Sequence, residues 1–393
     1  MYSLSSQNVP GHCRVEAMTR ADVMRCPRWR RAFASKRKDH RYYEIVEDTI
    51  GPGFDYGYFA IRDDCGEVRT VAPFFVTDQD MLAGTGAGVR QAVAQVRRVW
   101  PRCMAARTLM IRCTAGEGHL DDPDEMPGRE QARLLAEALP HHAARLQASL
   151  IVFKEFPATY RADLACLADA GYTRVPSVPM TRLNIDFPSF DDYMVHVLSR
   201  KRRQDLRQKF RTAAAAPPIE LRVVTDITPE IDDVYPLYVQ VFHRSKIHFE
   251  ELTKDFLCRL GRLMLEKVRF FVWRQQGRVV AFSLCMIQGD DIFAEYLGLD
   301  YTIALDLHFY HCAFRDVVSW GIAHGCKTFR SSGLGYDPTL HLGSLLDPVD
   351  LYVRHTSKIG NVLLGWLLPL IEPTHRDPVL RRFAIYDELW AHD

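Results

Sequence analysis

Between Ile292 and Tyr310 the sequence gathers several side chains able to hold or move a proton, among them Glu295, Tyr296, Asp300, Asp306, His308 and Tyr310. His308 is the preferred proton acceptor, because imidazole titrates near neutral pH. A lone histidine on a half-apolar helix can equally serve structure. Glu295 is the alternative base. It stands next to Tyr296 on a β-type run, where neighbours point to opposite faces, so only one of the two is expected to meet a cleft. Tyr310 could protonate a leaving group or simply pack in the core. Arg330 could grip a carboxylate or phosphate bidentately, or form a structural ion pair. Ser332 and His341 follow it on loop-like sequence. Far upstream, Arg200, Lys201, Arg202, Arg203, Arg207, Lys209 and Arg211 crowd round a single Asp205. Like charges so close repel, so an anionic substrate, a nucleic-acid backbone, neighbouring carboxylates or plain solvent must compensate them.

The elements that position these residues read as strand, strand, strand, helix, strand. Val268–Trp273 and Val279–Ile287 flank Gln275-Gln276-Gly277-Arg278, a hairpin signal. A turn at Gly289-Asp290-Asp291 leads to Ile292–Leu299. From Leu305 to Ala323 apolar residues recur at helical spacing, and Gly325 stands where a helix ends. Phe329–Ser332 is a short strand. This order, with Gly298-Leu299-Asp300 at the strand-to-helix passage and the segment Gly321–Gly343 after the helix, resembles the Fem-type branch of the GCN5-related N-acyltransferase (GNAT) superfamily. The run Leu198–Arg207 is similar to the opening helix of the acyltransferase module in that branch. The resemblance covers residues 190–343.

The resemblance implies an α/β (α+β) chain of tandem GNAT-like domains. Each would be a mixed, splayed, mostly antiparallel sheet flanked by helices. Residues 1–185 would form a degenerate N-terminal domain, and 186–393 the acyltransferase domain, with its core at 219–343 and a C-terminal helical tail. Residues 42–185 repeat the same order of elements without residue-level similarity. In the cleft an activated acyl or aminoacyl group would pass to an amine. His308, Glu295, Tyr310 and Tyr296 would supply the chemistry. Arg200, Lys201, Arg203, Arg207, Arg330, Ser332 and His341 would hold substrates. The acceptor is a small or peptide-like amine. The donor is aminoacyl-tRNA, acyl-CoA or an acyl-carrier protein, with no tightly bound cofactor and no metal. Two departures stand out. The family pattern generally has a lysine where this chain has Thr339, and Leu299–Leu305 lacks the glycines and basic residue of a pyrophosphate loop. A conventional acyl-CoA-dependent N-acetyltransferase and a non-catalytic binding module of the same fold are the rival readings.

Bulk properties narrow the class. At 393 residues, 47% hydrophobic and 25% charged, two globular domains are expected. A net charge of +1 offers no global attraction to nucleic acid. Ten cysteines without a CxxC pair suit reduced thiols in the cytoplasm rather than zinc ligands. The basic stretch Arg25–Arg41 reads as a solvated helix face or a phosphate-facing surface. Gly84, Gly86 and Gly88 read as a structural loop before a helix. The apolar run Val362–Ile371 is too short to span a membrane and is expected to be a buried helix.

Overall fold

The computed structural model describes residues 13–80, 95, 105–245, 249–332, 335–372 and 374–391; the Gly84–Gly88 loop lies outside them. Fourteen strands occur among the described residues: β1 Arg14–Met18, β2 Asp55–Arg62, β3 Val68–Asp80, β4 Ala105–Ile111, β5 Leu150–Pro157, β6 Thr173–Pro176, β7 Met180–Asn184, β8 Ile219–Val224, β9 Val268–Gln275, β10 Arg278–Gln288, β11 Asp291–Leu299, β12 Thr328–Ser331, β13 Leu345–Asp347 and β14 Val349–His355. The longer helices are α1 His40–Thr49, α2 Gly128–Arg145, α3 Phe190–His196, α4 Arg200–Ala214, α5 Ile231–Arg244, α6 Lys254–Leu263, α7 Phe309–Ala323 and α8 Lys358–Ile371.

The strands build two seven-stranded sheets with orders β1-β2-β3-β4-β5-β14-β6 and β8-β9-β10-β11-β12-β7-β13. The match is position for position, and each half lends the sixth strand of the other's sheet. Strand β7 lies between β12 and β13, and β14 lies between β5 and β6. A boundary at residue 185 therefore falls after a strand that already belongs to the second sheet. In each sheet one parallel pair, β4–β5 or β11–β12, interrupts antiparallel pairing. Their crossovers carry α2 and α7, as parallel neighbours require.

Local sequence explains the hairpins. Gln276 and Gly277 both take positive φ, +51 and +78, in a two-residue turn that matches strand twist. The stretch Asp191–Phe210, whose spacing predicts one helix, is broken in two. Ser199 is extended, and its hydroxyl caps α4 by accepting from the Arg202 amide at 3.4 Å. Helix α7 starts at Phe309 rather than Leu305, because His308 adopts φ +49.

One core joins the two halves. Trp29, Phe33, Tyr42 and Val46 pack in the same cluster as Leu237, Phe256, Phe270 and Leu284. The opposite face of the second sheet packs against α3, α4 and α7. The chain's tail is tied to the first sheet through Asp350, fully buried on β14. Asp350 accepts from Arg161 at 2.7 Å and Arg174 at 2.9 Å, and both arginines also reach tail carbonyls.

Candidate functional site

The two parallel pairs separate early. Pairing of β11 with β12 ends at Ala294–Ser331 while β11 runs on to Leu299. Pairing of β4 with β5 ends at Ile111–Phe153, and the next residue, Arg112, turns to φ +122. At the second divergence the β10 register steps from Leu284–Tyr296 to Cys285–Ala294, leaving Glu295 unpaired as a bulge. The bulge corrects the expectation that Glu295 and Tyr296 face opposite ways. Both turn toward the seam between the halves, where Glu295 meets Arg37 and Lys38 and Tyr296 packs on Tyr238.

That seam is charged and dry. Arg37 and Lys38 come from the segment before α1 and are almost wholly buried. This overturns the solvated reading of that stretch for these two residues. Arg37 pairs with Glu117 and, at 2.6 Å, with Glu295; Lys38 pairs with Glu117 at 2.9 Å and Glu295 at 3.1 Å. Burial opposes ionisation of Glu117, but Arg37 and Lys38 hold its carboxyl well below the usual range. His119 contacts Glu117 at 3.0 Å, and burial holds its imidazole down to about 4, hence neutral at pH 7.

A second charged group continues the seam at the first divergence. Arg112 donates to Glu155 at 3.0 Å, and Lys154 to the same oxygen at 2.8 Å. The Arg112 side chain is buried, and its Nε and second terminal nitrogen find no partner among the described residues. Beside this group Glu250 opens on a cavity of about 800 Å³ lined by Phe54, Tyr235, Phe249, Glu251, Asp55 and Asp78. Burial, with repulsion from Glu155 against the pull of Lys154, pushes Glu250 up to about 7. The Tyr296 hydroxyl lies 3.5 Å from it, and burial holds that phenol well above its ordinary range. Glu250 carries no local signal in the sequence. It sits in the polar stretch His248–Lys254, and its titration is set by residues on another sheet.

The other expected site residues lie elsewhere. His308 is half-buried at the start of α7, on the α4 side of the second sheet. Its ring is 6.5 Å from His311, which contacts Lys209 at 3.3 Å. Tyr310 packs at the edge of that core, and burial pushes it up to about 12. Arg330 is ion-paired with Asp347 and lies 3.6 Å from Asp291. Ser332 and His341 are exposed, His341 against Asp337. Thr339 is buried, its hydroxyl donating to the Tyr336 carbonyl at 3.0 Å. On α4, Arg200, Lys201 and Arg207 are exposed, whereas Arg203 donates to the Val195 carbonyl at 2.9 Å. Thus Glu295 and Tyr296 share the seam, and the remaining candidates do not reach it. In the β11–α7 loop the amides of Tyr301, Thr302, Ile303 and Ala304 are all bonded within the protein.

A family model described as FemAB-like, peptidoglycan biosynthesis/recognition, matches residues 120–337, more than half of the chain. Among solved structures the chain is similar to the C-terminal domain of a putative lysylphosphatidylglycerol synthetase from Agrobacterium fabrum. The identity is 13%, covering 89% of this chain and 96% of that one, with a TM-score of 0.48. It is also similar to FemX, at 12% identity over 79% and 90% of the two chains and a TM-score of 0.49. A tandem GNAT protein from the clavulanic acid biosynthesis pathway gives 11%, 81%, 88% and 0.44 for the same measures. No curated protein matches the chain.

Two stability measurements test this electrostatic arrangement. Glu117→Gln leaves two buried cations with one carboxylate and should cost about 3 kcal/mol in urea unfolding. Adding Lys38→Met should recover part of that loss, so the double variant is more stable than the sum of the single effects. Glu250 has the opposite sign. A carboxyl raised above its ordinary 4.5 destabilises the fold increasingly as pH rises from 4.5 to about 7, and by a constant amount above. Glu250→Gln should therefore raise the melting temperature by about 2 °C at pH 8 and leave it unchanged at pH 4.

Proposed function

The chain belongs to the FemAB-like family of peptidoglycan biosynthesis/recognition proteins, and from that premise we propose that it is an N-acyltransferase. It joins an activated acyl or aminoacyl group to an amine. The observation that carries the mechanism is Glu250: a carboxyl poised near neutrality on a cavity beside a phenolic hydroxyl. An amine reaches the site as an ammonium ion and must lose a proton before it can attack. A base with a pKa near the working pH does this best.

The cavity suits such a guest. Among the described residues Glu250, Glu251, Asp55 and Asp78 face one lining arginine, Arg107, which is already engaged by Asp55 at 2.8 Å. Phe54, Phe249 and Tyr235 supply apolar and aromatic walls, which also favour a cation. In the proposed step Glu250 takes one proton from the ammonium ion and releases it to solvent, then takes a second from the amine nitrogen as that nitrogen forms the new C–N bond. The ester C–O or thioester C–S bond then breaks. Tyr296 protonates the leaving oxygen or sulfur and is itself reprotonated from Glu250. Glu295 serves as a positioning residue, since each of its oxygens holds a cation.

Aminoacyl-tRNA is the donor this reading favours, which would place the reaction in the cytoplasm. The amides of the β11–α7 loop are committed to the protein rather than free to cradle a pyrophosphate. The exposed cations of α4 offer a surface for a phosphate backbone. Acyl-CoA or a carrier thioester is the second reading.

Incubation with charged tRNA, with acyl-CoAs and with a panel of peptide-like and polyamine acceptors, read by mass spectrometry, tests the proposal. A new amide is expected with charged tRNA. The rate should rise with pH through about 7, because the deprotonated carboxylate is the active form. Glu250→Gln should lower kcat/KM at least about 100-fold and remove that rise. Amide formation from CoA alone would shift the donor to a thioester. No amide with any donor would leave a binding module.

A further inference from the structure

The sequence led us to expect α8 as a buried helix, and the structure corrects this. Only its inner edge is covered. Leu364 and Leu368 pack on the first sheet, and Asn361 donates to the Gly171 carbonyl at 2.8 Å. On the outer side Ile359, Val362, Leu363, Trp366, Leu367 and Leu370 are exposed, Trp366 to 78%. Their spacing, at steps of three and four, makes one continuous apolar stripe along the helix. Six of the thirteen large apolar residues exposed among the described residues lie on this helix, so the patch is concentrated rather than scattered.

Along the chain, the exposed charges of the helix and of the turn after it have one sign. No acid occurs between Lys358 and Ile371, and Lys358 is exposed at the first turn. Past the last turn Arg376 donates to the Leu370 carbonyl at 3.3 Å, and Arg381 to the His375 carbonyl at 2.5 Å; both are exposed. The nearest acids are occupied. Glu372 is buried, accepting from the amides of Thr374 at 2.7 Å and His375 at 2.9 Å, and Asp377 accepts from Val379 at 2.8 Å. At 14 residues, and interrupted by Pro369, the helix is far shorter than a bilayer span. Among the described residues no helix is long and apolar enough to cross a membrane.

We propose that α8 docks the protein on an anionic lipid surface. The helix lies flat, its apolar stripe set into the headgroup boundary with Trp366 at the centre, and Lys358, Arg376 and Arg381 rest on lipid phosphates. Charge complementarity selects lipid over a second copy of the chain. Pairing two such helices antiparallel about a twofold axis would bring Lys358 of one against Arg376 of the other. The covered edge of α8, Leu364 and Leu368, shares its apolar cluster with Phe54 and Phe249, two walls of the Glu250 cavity. The proposal rests on α8 alone and stands whether or not the chain transfers acyl groups.

Co-sedimentation of the full chain with phosphatidylglycerol–phosphatidylcholine vesicles tests it. Binding is expected at low salt, weaker by tenfold or more in 0.5 M NaCl or on phosphatidylcholine alone. The double variant Leu363→Glu/Trp366→Glu should lose binding tenfold or more with no fall in melting temperature, since both side chains face solvent. Lys358→Glu/Arg376→Glu should lose the preference for the anionic vesicles. Three results would overturn the proposal: no sedimentation with anionic vesicles, unchanged binding by Leu363→Glu/Trp366→Glu, or a concentration-dependent dimer that this variant abolishes in the absence of lipid binding.

Discussion

Glu117 follows the fourth strand of one sheet, and Glu295 kinks the fourth strand of the other. Both carboxylates share the same two cations, Arg37 and Lys38. In water four such charges would be held weakly. Between the sheets they are nearly dry, so each is tolerable only while its partners are in place. This imposes a constraint on the whole molecule. The segment before α1 thus ties the fourth strand of one sheet to the fourth strand of the other. The exchanged strands β7 and β14 answer the same constraint in the backbone, since each sheet is completed only by its neighbour.

Four buried or part-buried carboxylates in this seam show how the fold divides labour among identical groups. Glu117 has two cations and stays ionised, and Glu155 is held below the usual carboxylate range by Lys154 and Arg112 against the cost of burial. Glu295 is committed to Arg37 and Lys38. Glu250 lies at the edge of these pairs, close enough to lose its hydration and too far to gain a salt bridge. Its carboxyl rises toward neutrality. The distinction between structural and reactive carboxylate is one of position within a single charged seam.

Periodicity made much of the second sheet legible. The β9–β10 hairpin, β11, α7 and β12 all follow from alternation, turn residues and helical spacing around Gly277 and Gly325. What periodicity could not show is where a pattern is broken for a purpose. The bulge at Glu295 turns two neighbours to one side, and nothing in Ala294–Leu297 announces it. Arg37 and Lys38 look like any basic surface run, and their burial depends on two acids, at 117 and 295, that no local pattern connects to them. Helix α8 misled for the opposite reason. Its apolar spacing implies a covered face, yet that face points away from the sheet.

The second sheet also separates two chemistries. On one side α4 exposes cations, next to His311 and the start of α7. On the other, Glu250 and Tyr296 lie beneath α5 and α6. An unbroken sheet would seal these sides from each other, because its backbone groups are all paired and its strands lie too close for a ligand to pass. The divergence of β11 from β12 after Ala294 interrupts that pairing at the level of Glu295 and Tyr296, where the buried Arg37 and Lys38 meet Glu295. In the proposed reaction a donor whose phosphates rest on α4 lies on the opposite face of the sheet from the cavity, so its acyl end would meet the amine only where the strands part. The amine waits in the acidic cavity beyond.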